Sequence, residues 1–134
     1  MDRKFLDRVT EIIDKERVFT DEPMSRHTTF RIGGPADCFV CPETVDEVQK
    51  VVRLCNEMDM PFYLLGNGSN LLVGDKGFRG VIVRLYKQMD KIEVSGTKIR
   101  AQAGALLVKV ASEACRNGLT GLEFAGGIPG TLGG

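Results

Sequence analysis

Two glycine-rich stretches carry the residue types best suited to chemistry in this chain. The first is LLGNGSNLLV at residues 64–73, where Gly66 and Gly68 alternate with Asn67, Ser69 and Asn70. Glycine lets a backbone adopt positive φ and come within hydrogen-bonding distance of a ligand. Successive amides exposed in such a turn form a concave anion site suited to a phosphate or diphosphate, and Ser69 and Asn70 add side-chain donors. The same residues also fit a plain Gly-Asn hairpin turn. The second stretch, GLEFAGGIPGTLGG at residues 121–134, crowds Gly126, Gly127, Gly130, Gly133 and Gly134 around Ile128 and Pro129. Flexible linkers are rich in Gly and Ser and lack embedded Leu, Phe, Ile and Pro. Here the apolar residues would pin a loop whose glycines leave its backbone bare. Two such loops, far apart in sequence, suggest one extended anionic ligand such as a dinucleotide, gripped from two sides.

The common nucleotide motifs are excluded. A Rossmann fingerprint needs a third glycine three residues after Gly68, where Leu71 stands. A P-loop needs Gly-Lys-Ser/Thr, a triplet absent from the chain. Other candidate residues say less. His27 is the only histidine and has no Cys, Asp or Ser beside it in a recognisable pairing, so no role as a base is assigned. Cys38 and Cys41 have metal-like spacing, but no second pair and no close His completes a zinc site. On one strand their side chains would point to opposite faces. Cys55 and Cys115 fall on apolar helix faces and are expected as buried thiols in a reducing compartment. No metal site is expected.

The elements that must position the loops follow from periodicity. Residues 2–17 place Phe5, Leu6, Val9, Ile12 and Ile13 at helical spacing among charges, which predicts an amphipathic helix. Residues 19–23 then read as a polar connector. Residues 36–41 (ADCFVC) read as a strand stopped by Pro42; Thr44 with Glu47 forms a capping-box pattern, and apolar positions at helical spacing continue to about Asp59. The apolar run at residues 62–65, opened by Pro61 and closed by Gly66, reads as a short buried strand. Strand, helix and strand make a βαβ unit with the Gly66 loop at a strand's carboxyl end, where ligand loops of α/β sheets sit. Residues 78–85 predict a further strand, and two alternating segments around Ser95-Gly96-Thr97 predict a hairpin. A helix follows with Leu107, Val108, Ala111, Ala114 and Cys115 on one face, closed by Asn117-Gly118.

Composition narrows the classes without choosing among them. The 134 residues are one domain's worth. Lys plus Arg at 18 balances Asp plus Glu at 18, so no nucleic-acid or membrane surface is indicated. Apolar runs are far short of a membrane span, and the charged opening MDRKFLDRV is no signal peptide. A cytoplasmic protein is expected.

Three segments together point to a family. HTTFRIGGPAD (residues 27–37), PFYLLGNGSNLLVGDKGFRGVIV (61–83) and GLEFAGGIPGTLGG (121–134) resemble the flavin reductases called UDP-N-acetylenolpyruvoylglucosamine reductase, the MurB family. They stand in that family's order and at about its spacing, and the resemblance covers residues 26–134. It implies an α+β fold of the vanillyl-alcohol oxidase (PCMH) type, with FAD lying between two α+β subdomains. Carried over, Leu65, Gly66, Asn67, Gly68, Ser69 and Asn70 would hold the FAD diphosphate. Gly127, Ile128, Pro129, Gly130, Thr131, Gly133 and Gly134 would line its other side, and Gly104 would lie at a bend near the flavin. The segment around His27 also lies near the cofactor in the family.

The resemblance further implies an NADPH-dependent reduction of the enolpyruvyl UDP-sugar to UDP-N-acetylmuramate in peptidoglycan biosynthesis, and so a part in cell-wall formation, cell shape and division. A serine, an arginine and a glutamate supply the protonation chemistry in that family, all beyond the GIPGTLGG segment. No catalytic residue is therefore expected in this chain, which reads as a piece of a longer protein. Its expected division is an N-terminal amphipathic helix (1–20), a first FAD-binding subdomain (21–86) and an incomplete second one (87–134). Alone it is expected to be inactive, to bind FAD weakly and to associate. A non-catalytic module for a nucleotide diphosphate and a different flavin oxidoreductase of the same fold both remain compatible with these residues.

Overall fold

Helix α1 (Arg3–Ile12) begins where the Asp2 carboxylate accepts a hydrogen bond from the Lys4 amide at 2.9 Å, a side-chain N-cap. The computed structural model describes all of residues 1–134. The helix buries Phe5 and Val9 but stops short of the expected span, because Ile13 turns extended at φ −123°. A single 3₁₀ turn (Lys15–Arg17) follows. The guanidinium of Arg17 then fixes the chain: it donates to both Glu47 carboxylate oxygens at 2.9 and 3.0 Å and to the Cys41 carbonyl at 3.2 Å. These charge-assisted bonds raise the pKa of Arg17 and hold the Glu47 carboxyl below its usual range.

The expected polar connector is instead strand β1 (Val18–Pro23), antiparallel to β2 (Pro35–Val40) with Val18 opposite Val40 and Phe19 opposite Phe39. It lies at the sheet edge with Phe19, Thr20 and Asp21 exposed, so its sequence shows none of the alternation of a half-buried strand. Helix α2 (Val45–Glu57) is capped as expected, with the Thr44 hydroxyl accepting from the Glu47 amide at 3.1 Å. The Glu47 side chain reaches back to the amide of Glu43 rather than that of Thr44. Strands β3 (Phe62–Leu65) and β4 (Phe78–Arg84) complete a sheet of order β1-β2-β4-β3, in which β4 runs parallel to both β2 and β3.

The sheet divides the core in two. Cys38, Val40, Val81 and Val83 face α1 and α2, packing on Phe5, Val9, Ile13, Val51, Leu54 and Cys55. Ala36, Phe39, Cys41, Leu65 and Ile82 face the other way, covered by Met24 with Leu71, Val73 and Phe78. Cys38 and Cys41 thus lie on opposite faces, as strand geometry requires. Burial pushes the Cys38 thiol up to about 12 and the Cys55 thiol to about 11, so both stay protonated near neutrality.

Beyond residue 86 a two-stranded antiparallel sheet, β5 (Ile92–Ser95) with β6 (Lys98–Ala101), turns through Gly96 and Thr97 as the alternation predicts. Helix α3 (Leu107–Arg116) follows. Its buried face centres on Val110 and Ala114, and both Val108 and Cys115 are exposed, which corrects the expected stripe. With Leu, Val, Ala and Cys in most positions, the apolar periodicity leaves the helix phase open by about one residue.

Candidate functional site

Strand β3 delivers the chain into the 66–70 loop, as the apolar run ending in glycine predicts. Inside the loop the Asn67 side-chain Oδ1 accepts from the Ser69 amide at 3.2 Å, closing an Asx turn. Gly68 sits at φ +68°, and a Cβ there would lie 1.9 Å from the carbonyl oxygen of His27. The Thr29 amide donates to the Gly68 carbonyl at 3.0 Å. The bare Cα of Gly68 therefore serves the fit between loop and entry segment. The amides of Gly66, Asn67, Gly68 and Asn70 have no acceptor within the chain.

The 121–134 segment is held by a different part of the fold. The amide of Leu107 donates to the Gly130 carbonyl at 3.0 Å, that of Leu132 to Ala105 at 2.8 Å, and that of Gly133 to Ala103 at 3.0 Å. This pins Thr131, 5% exposed, directly against Gly66: a Cβ on Gly66 would lie 2.3 Å from the Thr131 Oγ1. Gly130 faces Ser69, whose Oγ would be 3.4 Å from a Cβ at residue 130. The amides of Gly130 and Thr131 also lack acceptors in the chain.

Between the loops runs an open cleft of about 300 Å³. Leu65, Gly66, Asn67, Gly68, Ser69, Asn70, Ile128, Pro129, Gly130, Thr131 and Gly134 line it, so most of the expected site residues come together. No charged side chain lines the cleft. Tyr63, Leu64, Ile128 and Leu132 present half-exposed apolar surface at it, the kind of exposure that marks a ligand groove.

Three expected residues do not line the cleft. Gly104 lies outside the cleft lining, where its bare Cα accommodates the carbonyls of Leu85 and Met89. Gly133 abuts Ala103, and Gly127 ends a 3₁₀ turn with open space around it. Leu107 and Tyr63 line the cleft without having been anticipated; proximity of β3 to the loop was a signal for Tyr63 only. His27, for which no pairing was expected, has its Nε2 2.9 Å from Glu22 Oε1 and stacks on Phe39 at 4.1 Å between centroids. Glu22 was hidden because the strand that carries it was read as a connector.

Residues 36–134 match a family model described as "FAD binding domain". The chain belongs to this FAD-binding family. It is similar to the UDP-N-acetylenolpyruvoylglucosamine reductase of Alkaliphilus oremlandii (strain OhILAs), 46% identical over 94% of the chain and 41% of that protein. It is also 48% identical to the reductase of that name from Caldanaerobacter subterraneus subsp. tengcongensis, over 96% of the chain and 42% of that protein. The chain thus spans well under half the length of these relatives. Among solved structures, the enzyme of the same type (MurB) from Thermus caldophilus superposes with a TM-score of 0.68 at 35% identity, over 87% of the chain and 39% of that structure. p-Cresol methylhydroxylase shares the fold at a TM-score of 0.66 and 20% identity, over 87% of the chain and 25% of that structure. The resemblance carried by the three sequence motifs is borne out, as is the FAD-binding fold of the vanillyl-alcohol oxidase (PCMH) type.

Proposed function

We propose that this chain is the N-terminal FAD-binding part of an NADPH-dependent UDP-N-acetylenolpyruvoylglucosamine reductase of peptidoglycan biosynthesis. The observation that carries the reading is the meeting of the two glycine loops at Gly66 and Thr131, with unpaired amides on both sides of one cleft. Those residues fit an FAD diphosphate: six amides without acceptors offer donors, and no carboxylate in the lining opposes an anion. Bound FAD would supply a two-electron carrier between NADPH and the enolpyruvyl double bond of the UDP-sugar. This chain's part is to bind and orient: Gly66, Asn67, Gly68 and Asn70 hold the diphosphate from one side, Gly130 and Thr131 from the other. The Ser69 hydroxyl and Asn70 amide add donors, and Tyr63, Leu64 and Ile128 cover apolar surface of the cofactor. Relatives 46% and 48% identical carry the reductase name.

The proton-delivering serine, arginine and glutamate are assigned to the remainder of the protein, and the subdomain boundary to the neighbourhood of Tyr86, between the two sheets. No helix is long and apolar enough to cross a membrane, and a cytoplasmic site of action is proposed with the substrate. The test is to purify the intact protein and residues 1–134 separately, then supply FAD, NADPH and the enolpyruvyl UDP-sugar. The intact protein should show a flavin spectrum and turn over, and residues 1–134 should give no product. An intact protein without flavin, or full turnover by residues 1–134, refutes the assignment.

A further inference from the structure

A second pocket, of about 190 Å³, lies across the Leu65–Asn67 backbone from the cleft, sharing only that wall with it. It draws cationic or protonatable side chains from three places: Arg26 and His27 from the entry segment, Arg84 from the end of β4, and Lys87 from the connection after it. No Asp or Glu lines it. Glu22 serves Arg26 and His27 at the rim, at 3.7 and 2.9 Å, but no carboxylate in the chain pairs with Arg84 or Lys87.

Arg84 is the decisive residue. Its Nε is buried with no hydrogen-bond partner, and its guanidinium carbon stands 5.6 Å from the centroid of the Phe39 ring. The Cys41 side chain lies within reach of Arg84 but offers no counter-charge, since burial raises the pKa of its thiol. A guanidinium donor taken out of water without an acceptor is costly, and an oxyanion is the acceptor its fork fits best. At about 30 Å³ per water the pocket has room for roughly six waters, enough for one tetrahedral or planar oxyanion with its remaining hydration. Thr28 and Thr29 also line it.

We infer that this pocket binds the phosphate or carboxylate group of a small molecule, separately from the diphosphate cleft, with Arg84 and Lys87 as its principal donors. The inference does not rest on the flavin reading, because a protein that bound no FAD would still offer Arg84 and Lys87 to an oxyanion.

The experiment is an NMR titration of the intact protein with inorganic phosphate and, in parallel, acetate, with and without saturating FAD. Saturable shifts of the Arg84 Nε–H and the Lys87 amide are expected, unchanged by FAD. The tighter of the two anions identifies the group as phosphate or carboxylate. Arg84→Gln should weaken binding by about tenfold or more. Lys87→Gln, at an exposed position, should weaken it in a protein whose fold is undisturbed, and decides the matter if Arg84→Gln fails to fold. Absence of saturable shifts at Arg84 in wild type overturns the inference. So do shifts that FAD abolishes, which would place the anion on the 66–70 loop, and binding that survives Lys87→Gln at full strength.

Discussion

Replacing Gly66 by Ala tests the meeting of the two loops with one methyl group. The new Cβ would lie 2.3 Å from the Thr131 Oγ1 and 3.5 Å from its Cγ2. Rotating χ1 only exchanges one Thr131 substituent for the other, and a β-branched side chain has few rotamers to offer. Ordinary contact between carbons lies at about 3.5–4.0 Å, so the loops must part by roughly 1 Å. In the ligand-free protein they can do so, since no backbone hydrogen bond joins the 66–70 loop to residues 128–134. The strain therefore falls on binding, when the diphosphate must be gripped from both sides. Overpacking of this size costs about 1–3 kcal/mol, which corresponds to FAD affinity lowered by about 5- to 150-fold. The assay is an FAD titration of the intact apoprotein by flavin fluorescence, with thermal unfolding of the apo form as control. Gly66→Ala combined with Thr131→Ala leaves the Thr131 Cβ, at 3.4 Å, as the nearest atom. The double variant should bind FAD more tightly than Gly66→Ala alone. Wild-type affinity in Gly66→Ala, or a double variant no better than the single, would refute the proposed apposition.

Ser69→Ala and Asn70→Ala each remove a side-chain donor with no partner in the chain; FAD affinity should fall about ten- to a hundredfold with the apo melting temperature nearly unchanged. Gly68→Val acts on the fold as well as on the ligand, because its Cβ meets the His27 carbonyl and φ is +68°; a cost of about 1–3 kcal/mol from the backbone alone should lower the apo melting temperature by several degrees. Glu47→Gln removes a carboxylate whose bonds to Arg17 tie the 3₁₀ turn before β1 to α2, and should cost about 1.5–3 kcal/mol at neutral pH. Because folding depresses the Glu47 pKa, that stabilisation is present above its unfolded value near 4.5 and is lost as pH falls through the lower folded value. Urea midpoints of wild type and Glu47→Gln should accordingly converge on acidification; a gap constant between pH 7 and pH 3 would contradict the linkage.

The parts of the molecule legible in the sequence are those where a change of composition coincides with a change of structure. Pro61, four apolar or aromatic residues and Gly66 delimit β3 closely, and the capping hydroxyl of Thr44 marks the start of α2. The 121–134 segment announced a pinned loop through its embedded Ile128 and Pro129. Strand β1 stayed hidden because an edge strand need not alternate, and with it went the Glu22–His27 pair that the strand creates. In α3, small apolar residues occupy so many positions that the buried face could be phased onto Cys115 when it runs through Val110. Gly68, Gly104 and Gly133 were read by their chemistry toward a ligand. Close approach between two segments of the chain makes the same demand for a bare Cα, and nothing in the one-dimensional pattern separates the two causes.

The strand order β1-β2-β4-β3 has a consequence for how the chain comes off the ribosome. The β1–β2 pair is local and can close as soon as Val40 has emerged. Strand β3 cannot, because its only partner is β4, which also fills the gap beside β2. At about 5–20 residues per second, Tyr63 and Leu65 wait about 1–4 s before Arg84 follows them out. Through that interval two strand edges and the apolar flank of α2 are open to other nascent chains. The arrival of β4 closes them together, so the central strand acts as the keystone of vectorial folding.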